Sequence, residues 1–429
     1  MIALFIALLL VAVAAIGTPL FIVFGGLAIL LFFLAGIDTS AVVIEISRIA
    51  RNSVLITIPL FTFAGYMLAE SGAPKRLIAL TRALVGWFKG GTAIVALVAC
   101  AFFTSFTGAS GVTIIALGGI LFPMLAQDKY REKFSLGLLT TSGSLGLLFP
   151  PSLILIIYGT IASMNKINIS ISQLFVAGIL PGTLLILLMS LLAVKEGQET
   201  ARIEPFEFRK LTKALKEAGW EIPLPFVVLG GMYSGFFTAT DAAALTALYA
   251  FVVEVFIYRD LSFTKDVPRI IRASMIVVGG IFVILGSAMG LTNYLVDAEV
   301  TQSVLKWMVE YVPKWAFLLM LNIFLIVVAA VLDVFSALIV VLPLILPIAA
   351  RMGINPVHMA IIFITNLEIG YALPPAGLNL FIASFRFRKP ILTLSKATLP
   401  FLLMMAFGLM IITYYPDLSL FLVRLFKVS

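Results

Sequence analysis

Two stretches of this 429-residue chain, 224 residues apart, carry the same punctuation. Pro123 is followed 27 residues later by Pro150-Pro151, and Pro347 is followed 27 residues later by Pro374-Pro375. A glycine stands four residues before each pair, Gly146 in LGLLFPPS and Gly370 in IGYALPPA. Proline removes a helical donor and glycine lets the backbone leave the helix, so neither stretch can run as one straight helix. Interrupted apolar segments at matching places in two halves point to the binding site of a secondary transporter.

The surroundings of these breaks are apolar. Hydrophobic residues make up 62% of the chain, charged residues 12%, and the mean hydropathy is +1.16. Soluble domains carry about twice that share of charge. The chain therefore reads as an all-α, polytopic membrane protein with room for about ten to fourteen spans or part-spans. Its net charge of +8 is spread over connectors (Lys75, Arg76, Arg82 and Lys89; Lys129, Arg131 and Lys133; Arg386, Arg388 and Lys389). That distribution suits helix-flanking anchors and positive-inside loops, and not nucleic-acid binding. A single cysteine, Cys100, excludes an internal disulfide, and the lone His358 cannot build a histidine metal site.

Met1 to Gly36 reads as two spans broken near Gly17-Thr18-Pro19, without the basic start and cleavage site of a signal peptide. The first repeat is expected over 1–194, a polar linker over 195–221 and a second repeat over 222–429. In the first repeat, an amphipathic arm helix at about 74–89 lies along the interface. Gly90 to Pro123 is too long for one crossing and breaks at Thr104-Ser105-Phe106-Thr107-Gly108-Ala109-Ser110-Gly111, giving a re-entrant hairpin at about 103–125. A broken helix follows at about 134–162. The second repeat offers the same order: an arm at about 300–313, a hairpin at about 333–349 and a broken helix at about 357–385. Similar order does not by itself show inversion, but an odd number of crossings per repeat would require the two repeats to be inverted.

Unwound backbone at membrane depth survives only where protein or a water-filled cavity surrounds it. At the first break, free carbonyls together with serine and threonine hydroxyls form a hard-oxygen cage suited to Na⁺. Small-residue helix packing is the competing explanation. Asp333 stands at the equivalent break of the second half. A carboxylate at a helix centre costs about 2.5–3.5 kcal/mol on insertion scales, so it needs an ion, a partner or a capping role. Glu368 and Asn366 precede the second proline pair, with Glu368 placed to line a substrate path or to face a lipid headgroup or a basic neighbour. Asp241, after Thr238 and Thr240, suits an N-terminal cap.

The ordered set TGASGVT, LGLLFPPSLILIIYG, LFVAGILPG, GFFTATDAAA and NPVHMAIIFITNLEIGYALPPAGLNLFIAS resembles the large membrane subunit of TRAP (tripartite ATP-independent periplasmic) transporters, the DctM type. The resemblance implies an elevator-type, Na⁺-driven secondary transporter in the bacterial inner membrane, importing an organic acid. A periplasmic substrate-binding protein and a small four-helix membrane subunit would complete it, and no organic cofactor is implied. Two or more Na⁺ sites are implied. One uses Thr107 and Ser110 with backbone from Gly146 through Phe149 to Pro151. The other uses Asp333 with backbone from Gly370 to Pro374. Substrate would lie between the hairpin tips, along a path of Ser105, Thr107, Ser110, Ser336, Asn366 and Glu368. Where the family pattern is a serine-rich SGSS this chain has TGAS, so Ala109 offers no side-chain oxygen.

Two other readings compete. A stand-alone Na⁺/carboxylate symporter of related hairpin fold would need no binding protein. An intramembrane enzyme would need Asp333 and Glu368 to share a proton, as aspartic proteases do.

Overall fold

The apolar runs form helices wherever the chain is described, which in the computed structural model means residues 20–49, 53–88, 90–200, 206–297, 311–374 and 377–426. The expected break near Gly17-Thr18-Pro19, most of the segment 300–313, and Pro375 fall outside these residues. Among the described residues, seven helices are long and apolar enough to cross a membrane, or eight if one bent pair counts as a single span.

The first half supplies α1 (Leu20–Leu34), α2 (Ser40–Ile49), α3 (Thr57–Glu70), α4 (Ala73–Val85), α5 (Gly91–Thr107) and α6 (Ser110–Gln127). Next come α7 (Glu132–Ser142), a 3-10 turn at Leu145–Leu148 and α8 (Leu153–Met164), with a 45° bend at the proline pair. The connection to the second half is itself helical, with α9 (Ile171–Thr200) followed by α10 (Phe208–Glu217). Then follow α11 (Pro223–Tyr233), α12 (Ala239–Val252), α13 (Asp266–Asp297), α14 (Lys314–Val331) and α15 (Val334–Arg351). The chain closes with α16 (Pro356–Gly370), α17 (Leu378–Phe387), α18 (Ile391–Tyr414) and α19 (Asp417–Leu425). Thr238 caps α12 and Asp241 reciprocates: Asp241 N–H donates to Thr238 Oγ1 and Thr238 N–H to Asp241 Oδ2, a capping box.

The helices form two groups, joined where α13 lies on α15 and α3 on α5. α13 lies against α1, α2 and α3, and α12 lies on α3. The hairpins and broken helices instead interlock across the halves. α6 packs on α17, α15 on α8, α7 on α18 and α9 on α16. Each return leg thus rests on the far segment of the other half's broken helix. α16 sits deepest, with every residue from Val357 to Gly370 buried, as an all-round apolar helix must be. His358 on this helix is a satisfied core residue, its ring nitrogens 3.1 Å from Ser419 Oγ and 3.3 Å from the Thr413 carbonyl.

The two glycines before the proline pairs serve close approach. A Cβ on Gly146 would fall on the Ala101 carbonyl of α5, and one on Gly370 would fall on the Ala329 Cβ of α14. Each glycine lets its broken helix press against the first leg of its own hairpin.

The arm helix α4 is held from inside by a residue that its interfacial pattern does not reveal. Arg76 pairs with Glu221, with Glu254 at 3.0 Å and with Asp260 at 2.6 Å, and its guanidinium lies 3.7 Å from the centre of the Tyr258 ring. Burial, with Glu221 beside it, pushes the Tyr258 hydroxyl up to about 12, so it keeps its proton and donates it to the Glu217 carbonyl at 2.6 Å, with Glu221 Oε2 3.1 Å away. This latch ties α4 to the connection between the halves and to the chain after α12.

Candidate functional site between the hairpin tips

The first tip is built from hydroxyls. α5 ends on Gly108, a left-handed residue (φ 63°) whose N–H donates to the Thr104 carbonyl at 2.8 Å. Ala109 is extended, and α6 begins at Ser110. Thr104 donates to the Gly143 carbonyl at 2.8 Å and lies 2.6 Å from Thr113 Oγ1. A hydroxyl has one proton, so Thr113 is the donor to Thr104. Ser110 Oγ donates to Asn379 Oδ1 at 2.7 Å, and Asn379 Nδ2 donates to the Thr140 carbonyl at 3.2 Å. The tip of the first hairpin is therefore bonded to α17 of the second half.

The second tip is built around a carboxylate. Asp333 caps α15: its Oδ1 accepts from Phe335 N–H at 3.0 Å and Ser336 N–H at 3.1 Å, and its Oδ2 accepts from the Ser336 hydroxyl. Such a cap satisfies donors that a helix start leaves open. Next to it, Val334 N–H donates to the Tyr371 hydroxyl. The Tyr371 carbonyl in turn accepts from Asn379 N–H at 3.0 Å. Tyr371 and Asn379 flank the break at Pro374, and each reaches a different tip. Neither was singled out in the sequence. Asn379 could have been found as an amide inside the apolar stretch that follows the second proline pair.

The remaining expected residues distribute around this junction. Thr107 is buried and closes the first tip through long contacts with Ala109, its Oγ1 3.5 Å from the carbonyl oxygen and 3.4 Å from the nitrogen. Ser105 donates to the Phe102 carbonyl at 2.7 Å within α5, and its backbone nitrogen adjoins Gly146. Phe149 is half-buried, Pro151 buried and Pro374 exposed. Asn366 faces away from the tips. Its amide donates to Asn322 Oδ1 at 2.8 Å, and Asn322 donates to Thr413 Oγ1 at 3.0 Å.

Glu368 is fully buried, and neither of its carboxyl oxygens accepts a well-formed hydrogen bond, although the Leu148 N–H faces them. Its backbone carbonyl accepts from Ser144 Oγ at 3.3 Å, a contact between the two broken helices. Asp333 and Glu368 share no hydrogen bond. Among the described residues, no group of three or more His, Cys, Asp or Glu side chains could hold a metal ion. The polar groups at the tips are carbonyls, hydroxyls and one carboxylate, all hard oxygens.

Among the described residues, seven or eight helices of membrane-crossing length, with helices broken at the proline pairs packed against the hairpin tips, define a polytopic membrane fold. The fold is similar to that of the Alcanivorax borkumensis YdaH transporter, with a TM-score of 0.63 over 89% of each chain at 14% identity. The family described as "Tripartite ATP-independent periplasmic transporter, DctM component" matches residues 4–418, and the chain belongs to that family.

The C4-dicarboxylate TRAP transporter large permease protein DctM of Rhodobacter capsulatus is 33% identical, the match covering 97% of this chain and 98% of that one. The ectoine/5-hydroxyectoine TRAP transporter large permease protein UehC of Ruegeria pomeroyi is 30% identical over 87% of this chain and 86% of its own. The isethionate TRAP transporter permease protein DctMQ of Oleidesulfovibrio alaskensis is 31% identical over 95% of this chain, which covers 64% of that longer protein. The chain is thus a large permease component of a tripartite transporter, a multi-pass protein of the inner membrane.

Proposed function

We propose that this permease imports an organic acid, delivered by a periplasmic binding protein, using a Na⁺ gradient and an elevator movement of the interlocked core. One observation carries the reading: both hairpin tips bond to the same helix break, the first through Ser110–Asn379 and the second through Val334–Tyr371. A ligand held there would touch both halves at once. In this reading one Na⁺ lies near Thr107, Ser110 and the Gly146–Pro151 backbone, and another near Asp333 and the Gly370–Pro374 backbone. Substrate binds between the tips, with Ser105, Ser336 and Glu368 further along its path, while Asn366, which turns to Asn322, lies off it.

The chain divides into repeats at 1–194 and 222–429. The α1–α3, α12 and α13 group, with the latched arm α4, stays still while the core moves. A small membrane subunit partners this fixed group. The C4-dicarboxylate name of the Rhodobacter capsulatus relative supports a carboxylate substrate, while the ectoine and isethionate relatives keep the class of small organic acid open. Membership of a tripartite family supports the binding-protein-dependent mode over a stand-alone symporter.

Charge sets a constraint on stoichiometry. Each net positive charge moved inward across 100 mV gains about 2.3 kcal/mol, so two Na⁺ with a dianion gain nothing from the potential. The test is uptake into proteoliposomes holding this chain and its small subunit. Uptake should need both an inward Na⁺ gradient and the binding protein. Uptake that persists without Na⁺, or by this chain alone, overturns the reading.

A further inference from the structure

The arm helix α4 and the connecting helix α10 pack against each other and leave between them a groove of about 400 Å³. Its floor is made of small residues, Ala79, Ala83 and Gly86 from one side and Ala214 from the other. Its lining carries three cations, Arg82, Lys210 and Lys213, and two carboxylates, Glu207 and Glu217. The carboxylates form pairs within α10 and its start, Lys210–Glu207 at 2.9 Å and Lys213–Glu217 at 3.7 Å, with every partner well exposed. Pairs of this kind contribute about 0–1 kcal/mol and exchange readily for another anion.

The depth of the groove follows from its aromatic residues. Trp87 stacks on Phe88 with ring centres 3.9 Å apart and meets Phe206 edge-on at 6.0 Å. These rings, with Phe208, are 40–70% exposed although they adjoin charged side chains. Exposed aromatic rings among lysines and arginines mark headgroup depth in a bilayer. The C-terminal end of α9 approaches the same place, with Gly197 against Gly90. A second groove, near 370 Å³, opens beside that end and carries Arg131, Lys133 and Lys195 with Glu196. Two neighbouring grooves thus carry basic side chains beside exposed aromatic rings, as the headgroup zone of a membrane protein does.

We propose that the α4–α10 groove binds an anionic phospholipid, with its phosphate against Arg82, Lys210 and Lys213 and an acyl chain over the alanine and glycine floor. Cations near an anionic leaflet gain about fivefold in affinity each. The apolar floor supplies what a free phosphate ion could not use. Because α4 is latched through Arg76 to the fixed helices, the lipid would anchor the part of the molecule that stays still. The inference stands apart from the choice of cargo or driving ion.

The test is thermal unfolding of the delipidated, purified chain in phosphatidylcholine vesicles, with and without phosphatidylglycerol, and in detergent with inorganic phosphate. Phosphatidylglycerol should raise the unfolding temperature by several degrees over phosphatidylcholine alone, and phosphate should leave it unchanged. In the Arg82→Gln/Lys210→Gln/Lys213→Gln variant that increment should vanish while the phosphatidylcholine baseline holds. An Arg131→Gln/Lys133→Gln/Lys195→Gln control should keep most of the increment. An equal response to both lipids, an increment that survives in the triple variant, or a response reproduced by phosphate each overturns the proposal. So does loss of the increment when the small subunit is bound, which would make the groove a protein interface.

Discussion

The two hairpin tips occupy equivalent places and are built from different chemistry. The first closes on Gly108-Ala109 with neutral hydroxyls, Thr104, Thr107, Ser110 and Thr113, and its legs α5 and α6 pack along each other. The second closes on Asp333 with a carboxylate that caps α15, and its legs barely touch: α14 lies on α16 and α15 on α8 and α13. Interhelical packing holds the first tip. The second depends on local capping and on one bond to the Tyr371 hydroxyl. Two tips around one break need not be chemically alike. Under the proposed function, a cation beside the carboxylate would weigh more on local charge balance than one beside neutral hydroxyls.

Four substitutions can break or sharpen that comparison. The largest expected effect is Asp333→Ala: Na⁺-dependent uptake should drop on the order of a hundredfold, in line with losing a charged ligand. The lost cap costs only about 1 kcal/mol, so the protein should still insert and run as a single peak in size-exclusion chromatography. Normal Na⁺ dependence in this variant would remove Asp333 from the ion site.

Asn379→Leu cuts the first tip from α17 and leaves the Ser110 hydroxyl without its acceptor, so uptake should fall about tenfold while half-saturation by Na⁺ rises. A change in maximal rate alone would speak for a structural role. Gly146→Ala places a methyl against the Ala101 carbonyl, and overpacking of this kind costs about 1–3 kcal/mol. A lowered unfolding temperature with unchanged Na⁺ affinity is expected.

Tyr371→Phe leaves the Val334 N–H without an acceptor, at about 1–3 kcal/mol. Uptake should decline severalfold, and amide exchange at the start of α15 should speed up while the first tip keeps its protection. Equal loosening of both tips would show that they behave as one unit.

Much of the fold was legible in the chain. The prolines at 150, 151 and 374 stand in the breaks after α7 and α16, although Pro123 and Pro347 sit inside α6 and α15, and the run of hydroxyl and small residues from Thr104 to Gly111 leaves the helix at Gly108-Ala109. Asp333 announced itself because a carboxylate is costly there. Three features were not legible. Gly146 and Gly370 read as points of unwinding, and they stand in the 3-10 turn after α7 and at the end of α16, but their second use, close helix approach, leaves no mark in the chain because it rests on a missing Cβ. Arg76 read as an interfacial cation on an amphipathic arm, although its partners Glu221, Glu254 and Asp260 lie well over a hundred residues away. Asn366 stood close to the second break in sequence but turns toward Asn322, because helical rotation, not distance along the chain, sets its direction.

The sequence by itself determined the membrane-helical class, the two-fold order of its elements and the positions of the four breaks. Each of these follows from local chemistry: apolar length, a missing donor, a missing side chain. Only the tertiary structure decided that the halves interlock, so that Ser110 of the first tip meets Asn379 and the second tip meets Tyr371 across a single break. Pairings between residues 37 and 269 positions apart rest on how whole helices pack, and no local propensity encodes them.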